Sequence, residues 1–374
     1  MWCNPLCSSL ILMAFSFLCL LQTSGCRVVD DVLVVFPGNT LTLAEQRIQP
    51  ADTGAGIDLE PRDNDYHQVV LPLQPNLRKP IAVVYMVGSL GTPGNATEIG
   101  SFIASLGYGV LNLRYPSNTV VGVACMERDA CFAETRGETI FGENVAYRIG
   151  HATYNEPSHR VTLANSIISR VVNLLDFLAH QEPSELNPEP GYWRQFLLRD
   201  ANSPYSTPNL GGVYPNWSQI VVAGHSQGGG MAAMLAMNLL PSDPPRRVVM
   251  LSSPNDNTGR TGGNRSASWV IAPSATPMDR FWGLRHSEDT GLGGYVAQNW
   301  QNMGGETEGG VGGIGNNAEF DVGDGSVDPM GARRLVLTAP VESASDGHAS
   351  TANPEYVQGI SAAWTYLFTA GGTD

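Results

Sequence analysis

Short, unbroken apolar runs alternate with longer segments of helical period from about residue 66 to the end of the chain. This alternation restricts the fold more than any other feature of the sequence. Ile81–Gly88 (IAVVYMVG) is a nearly continuous apolar run bounded by Pro80 and a glycine turn. Tyr108–Leu113, Gln219–Ala223, Arg247–Leu251, Arg280–Arg285 and Arg334–Thr338 have the same character, and His67–Leu73 reads as a shorter strand before them. Successive strand residues point to opposite faces, so a strand that is apolar at consecutive positions must be covered on both. Between these runs, Asn95–Leu106 places Ile99, Phe102, Ile103 and Leu106 on one helical face. Ser158–His180 carries Val161, Leu163, Ile167, Ile168, Val171, Val172, Leu174, Leu175 and Leu178 at the same spacing, and Gly228–Leu239 and about Pro354–Phe368 read as further helices. Buried strands alternating with amphipathic helices predict an α/β protein, with a mostly parallel central sheet flanked by helices on both faces.

The chain has 374 residues, of which 42% are apolar and 15% charged, with 42 Gly and 25 Pro, a composition that fits a folded, loop-rich protein with a sizeable core. The net charge of −14, with Lys79 as the only lysine, argues against nucleic acid as a partner, because phosphate binding needs a basic surface. The organisation read from the sequence is a segment 1–25, an N-terminal linker or extension 26–65, and one domain 66–374 with insertions at about 117–157 and 290–330. The second insertion includes the glycine-rich stretch Asn302–Gly325, read as a surface excursion or a flap over a site.

Residues Leu10–Leu21 are almost wholly apolar. As a helix they would rise about 18 Å, short of the roughly 30 Å hydrocarbon core, which suits a signal peptide better than a membrane span. The preceding MWCNPLCSS lacks Lys and Arg. Thr23-Ser24-Gly25-Cys26 resembles a bacterial lipobox with Thr where Leu is usual, so Cys26 is a candidate for lipidation and membrane anchoring, with ordinary cleavage nearby as the alternative. Cys125 and Cys131, with five residues between them in ACMERDACF, are expected to form a local disulfide in an oxidising compartment. The expected location is therefore outside the cytoplasm: secreted, periplasmic or membrane-anchored.

Gly224-His225-Ser226-Gln227-Gly228 is a G-x-S-x-G sequence. The motif alone is weak in so glycine-rich a chain, but here it directly follows an apolar strand and opens an apolar helix. In that setting the turn lifts a serine hydroxyl clear of the sheet, glycines on both sides avoid clashes, and the backbone N–H of Gln227 can face a developing oxyanion. The strand–GHSQGG–helix resembles the α/β-hydrolase superfamily. VVYMVGSLGTPG, GYGVLNLRYP, the cysteine pair with RGETIFG, and NWSQIVVAGHSQGGG are similar to a branch of secreted bacterial hydrolases within it, over about His67 to the C-terminus.

The resemblance implies a nucleophile, an acid and a histidine in that chain order. Ser226 is the nucleophile. Of the two later histidines, His286 and His348, the one after the last predicted strand, His348, is the expected base. The acid is expected after Arg280–Arg285, with Asp289 preferred; Glu288 beside it and Asp256, one strand earlier, are the alternatives. Gln227 and either Ser89 or Leu90, in the turn after Gly88, are the expected oxyanion donors. His225 should point away from Ser226 and pack. The implied activity is cofactor-free and metal-free hydrolysis of a small-molecule or lipid ester through an acyl-enzyme. A peptidase, thioesterase or acyltransferase could use the same triad, and a non-catalytic, surface-anchored binding module could share the fold.

Overall fold

The computed structural model describes residues 29–36, 39–58, 66–142, 161–184, 187, 189–203, 211–239, 241–259, 265–305, 314 and 318–370. The expected signal segment, Cys26, residues 143–160 of the first insertion and most of 306–317 lie outside the described residues.

The chain opens with β1 (Val29–Phe36), β2 (Asn39–Ile48), the short α1 (Pro50–Thr53) and β3 (His67–Pro72). It continues through β4 (Ala82–Met86), α2 (Thr97–Ser105) and β5 (Gly109–Leu113), then through α3 (Val121–Cys125), α4 (Asp129–Phe141), α5 (Ile167–His180) and α6 (Gly191–Arg194). A hairpin of β6 (Leu197–Arg199) and β7 (Val213–Pro215) precedes β8 (Ile220–His225), α7 (Gln227–Met237), β9 (Arg247–Leu251) and β10 (Phe281–His286). Last come α8 (Val296–Asn302), β11 (Phe320–Asp321), β12 (Arg334–Leu337), α9 (Ala344–Ser350) and α10 (Ile360–Thr369).

Ten strands form one sheet in the order β1-β2-β3-β5-β4-β8-β9-β10-β12-β11. From β5 to β11 all neighbours are parallel, while β3 runs antiparallel to both β2 and β5. The strands predicted from apolar runs are those of the sheet interior, where Val83, Val84, Val221, Val222, Val248 and Val249 are buried. β1 and β2 fall in the stretch read as an N-terminal extension, yet they extend this sheet as antiparallel edge strands.

Two helix groups cover the sheet. α2 packs on β3 and β5 and meets α10, where the Phe102 and Trp364 rings lie 5.4 Å apart. α4 touches both α5 and α7, and α7 rests on β4, β8 and β9. The long helix expected from Ser158 starts later, because Thr162 and Ser166 each cap a new segment: the Thr162 hydroxyl accepts from Asn165 N–H and the Ser166 hydroxyl from Ser169 N–H. The helix expected from Pro354 begins instead at Ile360. Asn353 closes a turn on the N–H of Glu355, and Pro354 has no N–H to give.

The first insertion is not structureless. Its α3 and α4 are joined by the disulfide Cys125–Cys131, whose Cα atoms are 5.3 Å apart and whose side chains are buried. Closing this six-residue separation should stabilise the fold by about 2 kcal/mol in the chain-entropy account. Urea unfolding of Cys125→Ala/Cys131→Ala should show a loss of that size. A change within about 0.5 kcal/mol, the range of ordinary surface substitutions, would show that the bond does not support the native state.

Candidate active site

The direction in which the sheet grows reverses beside β4. The chain passes from β4 to β5 on one side, crosses back to β8 on the other, and then adds β9, β10 and β12. Such a switch point leaves a crevice at the carboxyl ends of the strands, because the connections depart in opposite directions. Met86 pairs with Gly224, so β4 and β8 end level, and the turns Val87–Leu90 and His225–Ser226 emerge side by side.

Ser226 sits between β8 and α7 with φ +54° and ψ −121°. This conformation is rare for a residue with a side chain and costs on the order of 1–3 kcal/mol. Its N–H is held by the carbonyl of Leu251 at 2.8 Å. The flanking glycines allow the close packing: a Cβ on Gly224 would lie 2.5 Å from the Gly228 backbone, and one on Gly228 would lie 2.1 Å from the Met86 carbonyl oxygen.

β10 and β12 are parallel neighbours with His286 opposite Leu337, so the loops after them meet at the same edge of the sheet. Asp289 follows β10 and His348 lies on α9. His348 Nδ1–H donates to Asp289 Oδ2 at 2.7 Å, with both side chains buried. That bond fixes the tautomer and leaves Nε2 as the basic nitrogen. The second carboxylate oxygen accepts the N–H of Gly293 at 2.7 Å. The main-chain carbonyl of His348 is itself held, by His225 Nε2–H at 2.9 Å and by the Ser252 hydroxyl at 3.2 Å.

A cavity of about 460 Å³ is lined by Gly88, Ser89, Leu90, His225, Ser226 and His348 among others. Ser226 and His348 thus share one cavity, although no hydrogen bond joins Ser226 Oγ to the His348 ring. Among the described residues that line it there is no Asp, Glu, Lys or Arg, and Tyr85, Val87, Val120, Leu292 and Ala352 give it an apolar character. Among the described residues, no group of three His, Cys, Asp or Glu converges as a metal site.

Several sequence expectations are corrected here. Asp256 is not beside His348: its carboxylate takes Arg136 Nε at 2.6 Å, Arg136 Nη2 at 2.7 Å and the indole N–H of Trp269 at 2.8 Å. Glu288 is exposed, whereas Asp289 faces His348. Leu90 cannot serve as an oxyanion donor, since its N–H is committed to the Ser117 carbonyl at 2.9 Å. The N–H groups of Ser89 and Gln227 carry no acceptor among the described residues. His286 braces the loops: Nε2–H donates to Ala339 O and Nδ1 accepts the N–H of Glu288.

The chain has the α/β-hydrolase fold. Strand order, the strained serine between β8 and α7, and the acid and histidine after β10 and β12 all follow that plan. No protein-family model and no curated protein matches the sequence. Among solved structures, it is similar to an inhibited esterase B from Lactobacillus rhamnosis (12% identity over 57% of this chain, TM-score 0.30), of which it spans half the length. A thermophilic esterase from Thermogutta terrifontis matches at 14% identity over 68% of this chain and 80% of its own (TM-score 0.29). A bacterial heroin esterase matches at 15% identity over 88% and 83% (TM-score 0.33).

Two residues of this site escaped the sequence reading. Gly293 lies against the acid, where a Cβ would come within 1.9 Å of Asp289 Oδ2; the glycine-rich run after Asp289 was its only trace. Arg136 reaches the nucleophile turn from α4 by a contact of 91 residues' separation, which no local pattern announces.

Gly293→Ala should therefore displace the Asp289 carboxylate and lower kcat by about 10²-fold or more, as loss of the orienting acid does in triads. Glu288→Gln should leave kcat within about twofold, as expected of a surface change. Steady-state assays of both variants test the choice of acid, and equal losses would reverse it.

Loss of surrounding water pushes the His225 ring down to about 4, helped by the neighbouring His348, and burial lowers His286 and, with Arg170 and Arg114 nearby, His67. Between about pH 4 and 6.5 the unfolded chain binds protons that the folded His225 refuses, so stability rises with pH there and is lost as pH falls. The melting temperature should drop as pH is lowered through this window, and His225→Gln should flatten the slope. A slope unchanged in that variant would remove His225 from the account.

Proposed function

We propose that this protein is a serine hydrolase that cleaves neutral carboxylic esters, with Ser226 as nucleophile, His348 as general base and Asp289 as the acid that orients it. The observation that carries this reading is the buried His348–Asp289 hydrogen bond, 2.7 Å long, in the same crevice as a serine held at φ +54°. A fold does not need such strain or such a pair for packing, and a non-catalytic binding module on the same scaffold would have no use for either.

In the first step Ser226 Oγ forms a bond to the ester carbonyl carbon while His348 Nε2 takes its proton. The carbonyl oxygen becomes an oxyanion facing the N–H groups of Gln227 and Ser89. The tetrahedral intermediate collapses, the bond to the alcohol oxygen breaks, and His348 returns the proton to that oxygen. Water then repeats the sequence on the acyl-enzyme, releasing the acid and Ser226. Asp289 keeps Nδ1 protonated throughout and stabilises the imidazolium; it does not take the proton.

The uncharged, largely apolar cavity of about 460 Å³ favours a small neutral ester over a charged one or a peptide. Export, with Cys26 as a lipid anchor, belongs to the same proposal. It is supported by the apolar N-terminal run and by a buried disulfide of the kind that persists in oxidising compartments.

A fluorophosphonate probe should label wild-type protein at Ser226 and fail on Ser226→Ala. Ser226→Ala and His348→Ala should each lower kcat on a short-chain p-nitrophenyl ester by about 10³-fold or more, and the double variant should be little worse than either, because the residues act as a unit. Wild-type turnover by Ser226→Ala would sink the assignment. Since the base must be neutral, kcat/KM should rise with pH through a single group. His225, lowered to about 4 by burial, is neutral above that pH and adds no step there.

A further inference from the structure

Gln227 is held at its side chain and at its main-chain carbonyl by the two helices that the Cys125–Cys131 disulfide joins, and at its side chain also by Ser89. Its side-chain Oε1 accepts two hydrogen bonds, from the Ser89 hydroxyl at 2.7 Å and from the N–H of Val121, the first residue of α3, at 3.0 Å. Its main-chain carbonyl accepts Arg136 Nη1–H from α4 at 3.1 Å. The other two guanidinium nitrogens of Arg136 are spent on Asp256, so all three are engaged and the side chain is buried. Room for it exists only because residue 230 is glycine: a Cβ there would lie 2.6–2.7 Å from the guanidinium.

These contacts bear on two backbone donors. The N–H of Gln227 is the first of α7 and has no intrahelical partner, and the N–H of Ser89 is likewise without an acceptor among the described residues. One side-chain hydrogen bond ties the two residues together. The spacing between the donors is therefore set by the Ser89–Gln227 bond, and the position of Gln227 by Arg136 and Val121.

We propose that Arg136 and the Gln227 amide are positioning residues that hold the oxyanion hole at its working width, with the α3–α4 segment as the clamp. This rests on the ester-hydrolase reading. Arg136 touches no substrate; it acts through Gln227. A buried ion pair such as Arg136–Asp256 is a poor source of net stability, because removing two charges from water offsets most of their attraction. Holding a donor in place gives the pair a use that stability does not.

The test compares wild type with Ser89→Ala, Ser89→Thr, Gly230→Ala and Arg136→Lys, reading the rate of fluorophosphonate labelling of Ser226, kcat and KM on a short-chain p-nitrophenyl ester, and the melting temperature. Deleting an oxyanion donor costs about 10²–10³-fold in kcat, so misplacing one should cost about tenfold or more, in kcat and labelling rate together, with KM within about threefold. Ser89→Thr keeps the hydroxyl that donates to Gln227 Oε1 and should lose less rate than Ser89→Ala. Gly230→Ala is the decisive variant, since alanine suits a helix interior better than glycine while its Cβ intrudes on the Arg136 guanidinium. Variants that label and turn over like wild type would overturn the clamp while leaving Ser226 as nucleophile. Rates that fall only in proportion to the fraction unfolded would also overturn it. Failure of wild type itself to label would overturn the nucleophile assignment, and the clamp with it.

Discussion

The first turn of α7 lies directly on the end of β4, where Gly228 meets the Met86 carbonyl at a distance that leaves no space for a Cβ. Everything at the site follows from that approach. It forces the chain from β8 into α7 through a turn too sharp for ordinary backbone angles, and Ser226 takes the strained position. It also brings the serine turn level with the turn after β4, so that Ser89 and Ser226, from distant parts of the sequence, line one cavity. The cost of the strained serine is met by the buried packing of β4, β8 and α7 on one another.

The surroundings of the crevice are built from polar groups that are individually costly to bury and are satisfied in pairs. His348 is fixed at Nδ1 by Asp289 and at its carbonyl by His225 and Ser252. His286 links the loop after β10 to Ala339 beyond β12, keeping the acid's loop against the base's. Arg136, Asp256 and Trp269 form a third set behind the nucleophile turn. Unmade hydrogen bonds in such places are expensive, so each set admits few arrangements. The reacting atoms are thereby held by connections that reach from four different strand ends.

The pattern of burial also separates the roles of the histidines. His225 and His348 have rings 4.8 Å apart, yet only His348 has a carboxylate partner. His225 donates to a carbonyl, which can only accept, and its low proton affinity keeps it neutral. A second cation beside the imidazolium that forms during reaction would oppose it; a neutral ring does not.

Much of the fold was legible in the chain itself, because a strand buried on both faces must be apolar at consecutive positions and a helix lying on it must be apolar at every third or fourth. The serine was legible for a related reason: only a turn that tolerates no side chains on either side requires glycine at 224 and 228. Strand position set Asp289 and Glu288 apart from Asp256, but these two are neighbours after the same strand, and only the geometry distinguishes them, since the Asp289 carboxylate meets His348 Nδ1. What lay beyond the sequence was contact between segments with no local signature. β1 and β2 carry a strand pattern of their own, the apolar run Val32–Phe36 and the alternation of Leu41 and Leu43 with threonines, but only their pairing partners place them in this sheet. Ser89 and Leu90 are adjacent in sequence and equally plausible as donors, and only the Ser117 carbonyl, 27 residues on from Leu90, decided between them by taking the N–H of Leu90. Arg136 and Gly293 were invisible for the same reason: local sequence records the conformations a segment can adopt, whereas hydrogen-bond partners and excluded volume are settled only when distant segments meet.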